Sequence, residues 1–333
     1  EHGDIFSFTM KIEGIDFKNA LRILADKAGI SLSQLKNDES SSLIDILENT
    51  TKIFEHNLSQ NSQAKKYLAS RGLTAETIAK FRIGFANNEW REVYQKLKTA
   101  GYGDKEIAES GVCIVHEKGL YDRFRGRIMF PITNASGKVV GYSGRILEAQ
   151  DGVAKYVNTP ETPLYHKSSI LYGYDKARQE IARQKQVYVV EGQMDVVMSH
   201  QAGTTNTVAI SGTAFTTEHI NILKRFCDKI VLALDTDTAG YNAMLKSAAL
   251  ALQNDMEVDG LKLAAKDPAD IIKESQDEWL ETLKTAKPII NVIAEMILEQ
   301  EVIRPKQIQK MRKDLFPLMQ VIVSPLLKEA FIK

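Results

Sequence analysis

The sequence predicts an α+β protein of several subdomains: a mixed α/β basic N-terminal subdomain, a central parallel α/β sheet and a helical C-terminal region. Three observations indicate this fold: a basic, turn-rich stretch before residue 186, short apolar runs that alternate with helical segments after it, and an amphipathic helical pattern beyond Pro268. Short, β-branched runs that are apolar after their first residue, such as 186–190 and 229–234, are typical of strands buried on both faces of a parallel sheet. Their alternation with helices indicates βαβ units.

The first third of the chain has a helical pattern. Residues 1–35 carry apolar side chains at helical spacing but are too few to form a core of their own. In residues 65–83 the pattern predicts two short helices joined at Gly72, with Thr74 as the N-cap of the second. Residues 43–112 are therefore expected to be mostly helical.

A hairpin and then a parallel sheet are predicted from residue 127 onward. Residues 127–132 and 138–142 flank the polar turn 134–137, and this arrangement predicts a β-hairpin. The strands expected in the parallel sheet are 186–190, 207–211, 229–234 and 260–264. The helices expected between them are 195–202, 217–226 and 240–253.

Composition and length restrict the class of protein. The 333 residues are 44% hydrophobic and 26% charged, which fits a globular protein of two or three domains. Cys113 and Cys227 lie far apart without a CxxC pair, which argues against a disulfide framework or a structural zinc site and fits a reducing cytoplasm. No apolar stretch reaches membrane-spanning length, no signal peptide or GxxxxGK[ST] loop is present, and the absence of Met at residue 1 suggests a fragment of a longer protein.

Charge is unevenly distributed although the net charge is zero. Residues 118–185 hold twelve Lys or Arg against six Asp or Glu, whereas residues 1–60 hold six against ten. A basic stretch next to an acidic motif is a better indication of nucleic-acid binding than the total charge. For any single Lys or Arg, a solvated surface position is an equally good explanation.

Acidic residues stand where two of the apolar runs end. Glu191 follows the first run, and Asp235 and Asp237 follow the third. Because ligands bind at the carboxyl ends of parallel strands, these carboxylates are expected to converge where chemistry takes place. Crowded carboxylates repel one another and are stabilised by divalent cations, so the pattern indicates Mg²⁺-dependent phosphate chemistry. The alternative is that they only cap a helix and form a turn, which either motif alone would favour.

A second acidic motif, Asp267-Pro268-Ala269-Asp270, follows the last predicted strand. Its carboxylates could join the same edge of the sheet. Equally, it could be a helix that begins with proline and carries acidic residues in its first turn. The residues alone do not decide between the two.

Arginines alternate with other residues before the predicted hairpin, at Arg123, Arg125 and Arg127. At period two they would share one face of a strand, where an anion such as phosphate is their usual partner. Tyr121 could stack on a base or pack in the core, and the core is the better expectation for Phe124. Further cations follow in a turn-rich stretch, namely Arg145, Lys155 and Lys167.

The acidic motifs resemble the Toprim module that primases, topoisomerases and some repair proteins share. The resemblance rests on Glu191-Gly-x-x-Asp195, followed about forty residues later by Asp235-x-Asp237 on a second strand. The basic motifs are more selective, because they closely resemble those of bacterial DnaG-type DNA primases. They are residues 121–132, 141–145 and 155–167, and the acidic motif 267–270 resembles that family too.

This resemblance implies a DNA-dependent RNA polymerase that makes short RNA primers on single-stranded DNA by two-metal nucleotidyl transfer. By similarity, Mg²⁺ or Mn²⁺ would be held by Glu191, Asp235 and Asp237, with Asp195, Asp267 and Asp270 as further candidate ligands. The residues implied in nucleotide binding are Arg145, Lys155, Asn158 and Lys167. Those implied in DNA binding are Tyr121, Arg123, Arg125 and Arg127.

The resemblance also implies a domain organisation and a set of partners. The expected domains are 1–37, a helical remnant of a zinc-binding domain with a linker; 38–185, the basic subdomain; 186–275, the Toprim subdomain; and 276–333, a helical subdomain. Zinc is expected only in the full-length protein. Expected partners are the template, ribonucleoside triphosphates and the RNA–DNA hybrid, with the replicative helicase and single-strand-binding protein contacting regions outside this chain. A cytoplasmic monomer at the bacterial replication fork, without membrane contact, is expected.

Two other functions are open from the residues. Asp235-Thr-Asp-Thr238 partly matches the nucleophile loop of haloacid-dehalogenase-type phosphatases, in which the first Asp is phosphorylated. That loop normally follows the first strand near the start of the chain, and Glu191 and the arginines would then have no role. A non-catalytic Toprim scaffold that binds DNA is the other alternative.

Overall fold

A computed structural model describes residues 4–13, 17–28, 39–148, 152–212, 214–300, 303–322 and 328. The chain divides into two compact units. The first comprises residues 1–70 and 78–166, and the second comprises residues 71–77 and 167–333. The segment 167–185, which the sequence assigned to the basic subdomain, therefore lies in the second unit, together with the segments 186–275 and 276–333. The subdomain boundaries predicted at 185 and 275 stay predictions.

The first unit contains helices, a four-stranded antiparallel sheet and a separate hairpin. Its helices are α1 (Ile5–Glu13), α2 (Phe17–Lys27), α3 (Glu39–Gln60), α4 (Ser62–Ser70), α5 (Ala75–Lys80, which begins in the second unit), α6 (Glu92–Thr99) and α7 (Asp104–Glu109). Its strands are β1 (Gly84–Ala86), β2 (Cys113–His116), β3 (Gly119–Asp122), β4 (Arg127–Thr133), β5 (Val139–Ile146) and β6 (Tyr156–Asn158). The sheet has the order β1-β4-β5-β6, and β2 pairs with β3.

The core of the first unit lies between α3 and this sheet. Tyr142 of β5 is fully buried, and its hydroxyl bonds to the carbonyl of Leu47 and, at 2.8 Å, to the hydroxyl of Thr51. Phe54 packs edge-on against the Tyr142 ring at 5.3 Å. Gly84 of β1 lies so close to α3 that a Cβ there would be 2.5 Å from the Cβ of Phe54. Strand β1 therefore depends on a glycine at this contact.

The second unit is built on a five-stranded sheet in the order β11-β10-β9-β7-β8, parallel except for β11. Its strands are β7 (Gln186–Val190), β8 (Thr207–Ala209), β9 (Lys229–Leu232), β10 (Glu257–Gly260) and β11 (Lys287–Pro288). Its helices are α8 (Tyr174–Gln184), α9 (Gln193–Gln201), α10 (Thr217–Leu223), α11 (Thr238–Gln253), α12 (Pro268–Glu274), α13 (Gln276–Lys284), α14 (Ile289–Gln300) and α15 (Arg304–Val321), with a 3-10 turn at Lys167–Ser169. The predicted parallel sheet and C-terminal helical region are confirmed.

Local predictions can be compared with these elements. The hairpin β4–β5 forms around residues 134–137 as expected, and Gly137 has the positive φ of 80° that its turn requires. Thr74 caps its helix by accepting the Thr77 N–H at 3.2 Å. The strand predicted at 260–264 is displaced and lies at Glu257–Gly260.

The displaced strand has a physical explanation. Asp259 is buried in β10 and bonds to Lys229 of β9 at 2.7 Å, so an ion pair rather than an apolar side chain fills this part of the sheet. The predicted strand followed the apolar residues after it instead. Strand β1 also lies in a segment that was expected to be helical. Only three of its residues pair with β4, and a strand this short shows no clear pattern in the sequence. Within the described ranges, no helix combines the length and apolarity needed to cross a bilayer.

Candidate active site

Glu191 and Asp235 meet at the carboxyl edge of the second sheet, as the sequence predicts. Strands β7 and β9 are adjacent and parallel, and each of the two acidic residues follows one of them. The Oε1 atom of Glu191 accepts the backbone N–H of Asp235 at 3.1 Å. One carboxylate is therefore fixed against the backbone that carries the other.

Asp237 forms the start of α11. It is the N-cap residue, and its Oδ1 accepts the backbone N–H of Gly240 at 2.9 Å. A Cβ on Gly240 would lie 2.1 Å from the carbonyl oxygen of Asp235 and 2.8 Å from Oε1 of Glu191. Only glycine fits there, so the first turn of α11 can approach both acidic residues. Gly240 was not among the predicted site residues. Its signal in the sequence is its place shortly after Asp235-x-Asp237.

Asp195 is a buried carboxylate that joins two helices. Its Oδ2 accepts the N–H of Gly192 at 3.0 Å at the start of α9, and its Oδ1 accepts the N–H of Ala269 at 3.2 Å in α12. Both oxygens thus hold backbone, which favours a positioning role. Ligation of a metal by Asp195 stays a prediction.

The motif 267–270 forms a helix that begins with proline and also adds charge to the acidic edge. Asp267 is the N-cap of α12 and accepts the N–H of Asp270 at 2.8 Å. Burial is the main cause of the raised pKa values of Asp195, Asp235 and Glu191, and the negative charge of Asp267 raises them further. Asp270 forms an ion pair with Arg71 at 3.3 Å. Both interpretations of the motif therefore have support, because Asp267 caps the helix and also adds charge to the edge.

The surroundings of this edge disfavour the ionised form of its carboxyl groups. Burial, followed by the charges of Glu191 and Asp267, raises the pKa of Asp235 to about 7. Burial raises the pKa of Glu191, with further contributions from Asp237 and Asp267, and burial raises that of Asp195 to about 8. Lys266 opposes the rise at Glu191 and Asp235 but does not cancel it. Lys266 was not among the predicted site residues. Its position directly before the acidic motif 267–270 is the signal that could have placed it at this edge.

The donor set is compatible with a hard divalent cation. Glu191, Asp235 and Asp237 offer carboxylate oxygens, which Mg²⁺ and Mn²⁺ prefer. A bound divalent cation would neutralise part of the negative charge that these residues place at the edge. Across the part of the chain that the structure describes, however, no three His, Cys, Asp or Glu side chains are already grouped closely enough to hold a metal ion. The residues fit a metal in kind, and ligation would require their side chains to turn toward it.

The three arginines lie around one cleft of about 650 Å³ in the first unit. The sequence predicts that they share one face of a strand, and this is wrong. Only Arg127 belongs to β4, while Arg123 and Arg125 precede it. Gly126 between them has a positive φ of 61°, which turns the backbone. The cleft is also lined by the amide side chains of Asn61, Gln63, Asn87 and Asn88.

Each arginine already has protein partners. Arg127 is buried and donates to the carbonyl oxygens of Gly144, Ala154 and Lys155 at 3.0–3.3 Å. Arg123 donates to the carbonyl of Gly111 at 2.8 Å. Carbonyl oxygens thus already accept from two of the guanidinium groups for which the sequence predicts phosphate as the usual partner.

Arg125 packs against two aromatic rings, which also contact each other edge-on at 5.5 Å. Its guanidinium lies 4.2 Å from the ring centroid of Trp90 and 5.4 Å from that of Tyr121. Trp90 is 63% exposed, so a large aromatic surface stays open to solvent. The sequence analysis did not select Trp90, because a single tryptophan in a helical segment carries no motif. Phe124 is buried, as expected for a core residue.

The residues implied in nucleotide binding fall into both units. Arg145 lies 5.4 Å from the ring centroid of Tyr67 and 5.7 Å from that of Tyr156, and Lys155 lies 5.9 Å from the Tyr156 ring. Asn158 is half-buried in β6.

Lys167 lies in the second unit, in the 3-10 turn. This turn is held by the hydroxyl of Thr216, which donates to the carbonyl of Ser168 at 2.6 Å. The binding roles given to these residues and to the arginines stay predictions.

Family models identify both parts of the chain. The model described as "DNA primase catalytic core, N-terminal domain" matches residues 53–178, which include the arginine-lined cleft. The model described as "Toprim-like" matches residues 188–272, which include every acidic residue described above. The acidic edge thus belongs to a Toprim domain, and the class of protein is one that combines this domain with a primase N-terminal domain.

Individual relatives agree with this class. A DNA primase of Clostridium acetobutylicum is 32% identical over the whole chain, and the match covers 57% of that protein. The RNA polymerase domain of Mycobacterium tuberculosis primase DnaG, in complex with double-stranded DNA, is 30% identical with a TM-score of 0.75 over 88% of this chain and 96% of that one. A DnaG primase catalytic domain bound to ssDNA gives 29% identity and a TM-score of 0.74 over 88% and 94%.

The chain belongs to the family of DnaG-type DNA primases and corresponds to their catalytic core with its Toprim domain. It spans little more than half the length of the curated relative from Clostridium acetobutylicum. Neither the phosphatase nor the non-catalytic scaffold is favoured by these matches.

Proposed function

We propose that this chain synthesises short RNA primers on single-stranded DNA, by transfer of ribonucleotides from their triphosphates. The observation that carries the proposal is the meeting of Glu191 and Asp235 at the ends of adjacent parallel strands, where burial and then neighbouring carboxylates raise both pKa values. A carboxylate pair of this kind costs free energy in the metal-free protein. It is therefore better explained by cation binding than by stabilisation of the fold.

In this proposal the acidic residues hold the cations and the backbone fixes their positions. Glu191, Asp235 and Asp237 would hold two Mg²⁺ or Mn²⁺ ions. Bound there, the ions supply activation of the attacking 3′-hydroxyl and neutralisation of charge on the departing pyrophosphate. Asp195 keeps the starts of α9 and α12 together, and so maintains the edge on which the ligands stand.

The basic residues would bind the phosphates. Arg145, Lys155 and Asn158 of the first unit, and Lys167 of the second, are each proposed to bind nucleotide. Arg123 and Arg125 are proposed to contact the template, and Trp90 and Tyr121 offer rings on which bases can stack. Arg127, whose guanidinium holds three carbonyl groups, would shape the cleft.

The proposed partners follow from this reaction. They are a single-stranded DNA template, ribonucleoside triphosphates and the RNA–DNA hybrid that the reaction leaves. We also propose that the full-length protein meets the replicative helicase and the single-strand-binding protein at the bacterial replication fork, in the cytoplasm.

The direct test is incorporation of labelled ribonucleotides on single-stranded DNA, with and without a divalent cation. We expect template- and metal-dependent RNA products of short length. Release of inorganic phosphate from a generic phosphate monoester without template would instead support the phosphatase. DNA binding without any metal-dependent incorporation would support the scaffold.

Metal affinity is expected to depend on pH. Because the pKa of Asp235 is raised to about 7, protons compete with the cation below that pH. We expect the affinity for Mn²⁺ to rise about fivefold between pH 6 and 7, and to level off above pH 8. Calorimetric titration of Mn²⁺ without nucleotide or DNA measures this. In the Asp235→Asn variant the dependence should flatten, and a constant affinity of the unaltered chain across pH 6–7 contradicts the assignment.

The same shift has a consequence for stability. The folded chain holds its Asp235 proton up to about pH 7, whereas the ordinary pKa is 3.8, so the folded state binds more protons between these values. The metal-free protein should therefore lose stability as pH rises through this interval. Added Mn²⁺ should restore the melting temperature most strongly at the upper end of the interval.

A further inference from the structure

Helix α15 packs against α11, and a tyrosine in the first turn of α11 bonds directly to it. Tyr241 is buried, and its hydroxyl donates to Oδ2 of Asp314 at 2.7 Å. The Nζ atom of Lys310, one turn earlier in α15, lies 5.0 Å from the centroid of the Tyr241 ring. An anion and a cation of the same helix thus fix one aromatic side chain.

The backbone of this tyrosine is part of the acidic edge. The N–H of Tyr241 donates to the carbonyl oxygen of Asp237 at 2.9 Å, and the N–H of the preceding Gly240 donates to the Asp237 carboxylate at the same distance. Gly240 itself touches the backbone of Asp235, without space for a Cβ. The segment from Asp235 to Tyr241 is therefore tightly joined, with the acidic residues at one end and the tyrosine ring at the other.

We propose that Tyr241 is a positioning residue for the divalent cation, because its bond to Asp314 fixes the first turn of α11 and thereby the loop that carries Asp235 and Asp237. This inference rests on the proposed function, since it concerns the same cation site. It assigns to α15 a role in metal binding in addition to its packing. Movement of α15 would change the cation affinity without any contact between that helix and the ion.

A purely structural role for Tyr241 makes a different prediction. Phenylalanine keeps the ring, its burial and the attraction of Lys310, and removes only the hydroxyl that Asp314 accepts. If packing were all that mattered, Tyr241→Phe would change the melting temperature slightly and leave metal binding unaltered. If the hydroxyl positions the loop, the metal affinity must fall.

The test is a Mn²⁺ titration of Tyr241→Phe, Asp314→Ala and the double variant, without nucleotide or DNA. We expect each single variant to bind Mn²⁺ roughly tenfold more weakly, as for other residues that orient metal ligands, and the double variant to be no weaker than either. The Mg²⁺ concentration for half-maximal primer synthesis should rise by the same factor, while KM for nucleotides at saturating Mg²⁺ stays constant.

Tyr174→Phe provides the matched control, because it removes a hydroxyl from another buried tyrosine of the same unit. Its Mn²⁺ affinity should equal that of the unaltered chain. Normal Mn²⁺ binding by Tyr241→Phe, with a lowered melting temperature alone, overturns the inference and leaves the proposed function standing. Absence of Mn²⁺ binding in the unaltered chain overturns both.

Discussion

Replacement of Glu191 by glutamine is expected to reduce primer synthesis by at least about 10²-fold. Glutamine has the same size and can still accept the N–H of Asp235 through its amide oxygen, so the backbone contact survives. What disappears is the negative charge that would hold the cation. Initial rates of labelled ribonucleotide incorporation on single-stranded DNA measure the loss.

The same variant should remain folded and bind DNA. Because burial raises the pKa of Glu191, removal of its charge relieves an unfavourable interaction, and the metal-free variant should melt at or above the temperature of the unaltered chain. Glu218→Gln, which changes an exposed glutamate in α10, is the matched control and should synthesise primers normally. Synthesis by Glu191→Gln within tenfold of the unaltered rate would remove this residue from the reaction.

Gly240→Ala is expected to abolish synthesis through the backbone rather than through lost chemistry. The added Cβ would stand 2.1 Å from the carbonyl oxygen of Asp235, where no atom can remain, so the start of α11 or the loop before it must move. Because both acidic residues of the loop move with it, we expect loss of Mn²⁺ binding together with a fall of at least about 10²-fold in activity. Mn²⁺ titration and incorporation assays measure the two effects.

Asn242→Ala is the control for Gly240→Ala. It places alanine two residues later in the same helix, at an exposed position where no backbone crowding arises. Its activity and metal affinity should match those of the unaltered chain, which would exclude a general effect of altered helix propensity. Near-normal activity of Gly240→Ala would show that the loop tolerates the displacement, and that the close approach is not needed for synthesis.

The sheet and its acidic edge could be predicted from the sequence because they depend on simple regularities. Runs such as 186–190 are apolar after their first residue, which indicates burial on both faces, and parallel strands bring their carboxyl ends to one edge. Glu191 and Asp235 lie next to each other for this reason. Residues 257–260 escaped prediction because a buried Asp259, paired with Lys229, does not look like a strand interior.

Contacts that depend on loop geometry could not be predicted. The bridging bonds of Asp195 require α9 and α12 to begin side by side, and spacing along the chain does not show this. The alternation of Arg123, Arg125 and Arg127 predicted a strand, yet Gly126 turns the backbone and β4 begins only after it. The three arginines nevertheless line one cleft, although they do not lie on one strand.

The strand order β11-β10-β9-β7-β8 makes the chain leave its two central strands in opposite directions. After β7 the chain continues to β8 on one side, and after β9 it continues through α11 to β10 on the other. The two connections diverge and open a gap between them, which is the topological switch point of the sheet. Glu191 is the first residue after β7, in one connection, and Asp235 is the third residue after β9, in the other. The connectivity alone therefore places one acidic residue on each side of this gap, where ligands of open α/β sheets bind.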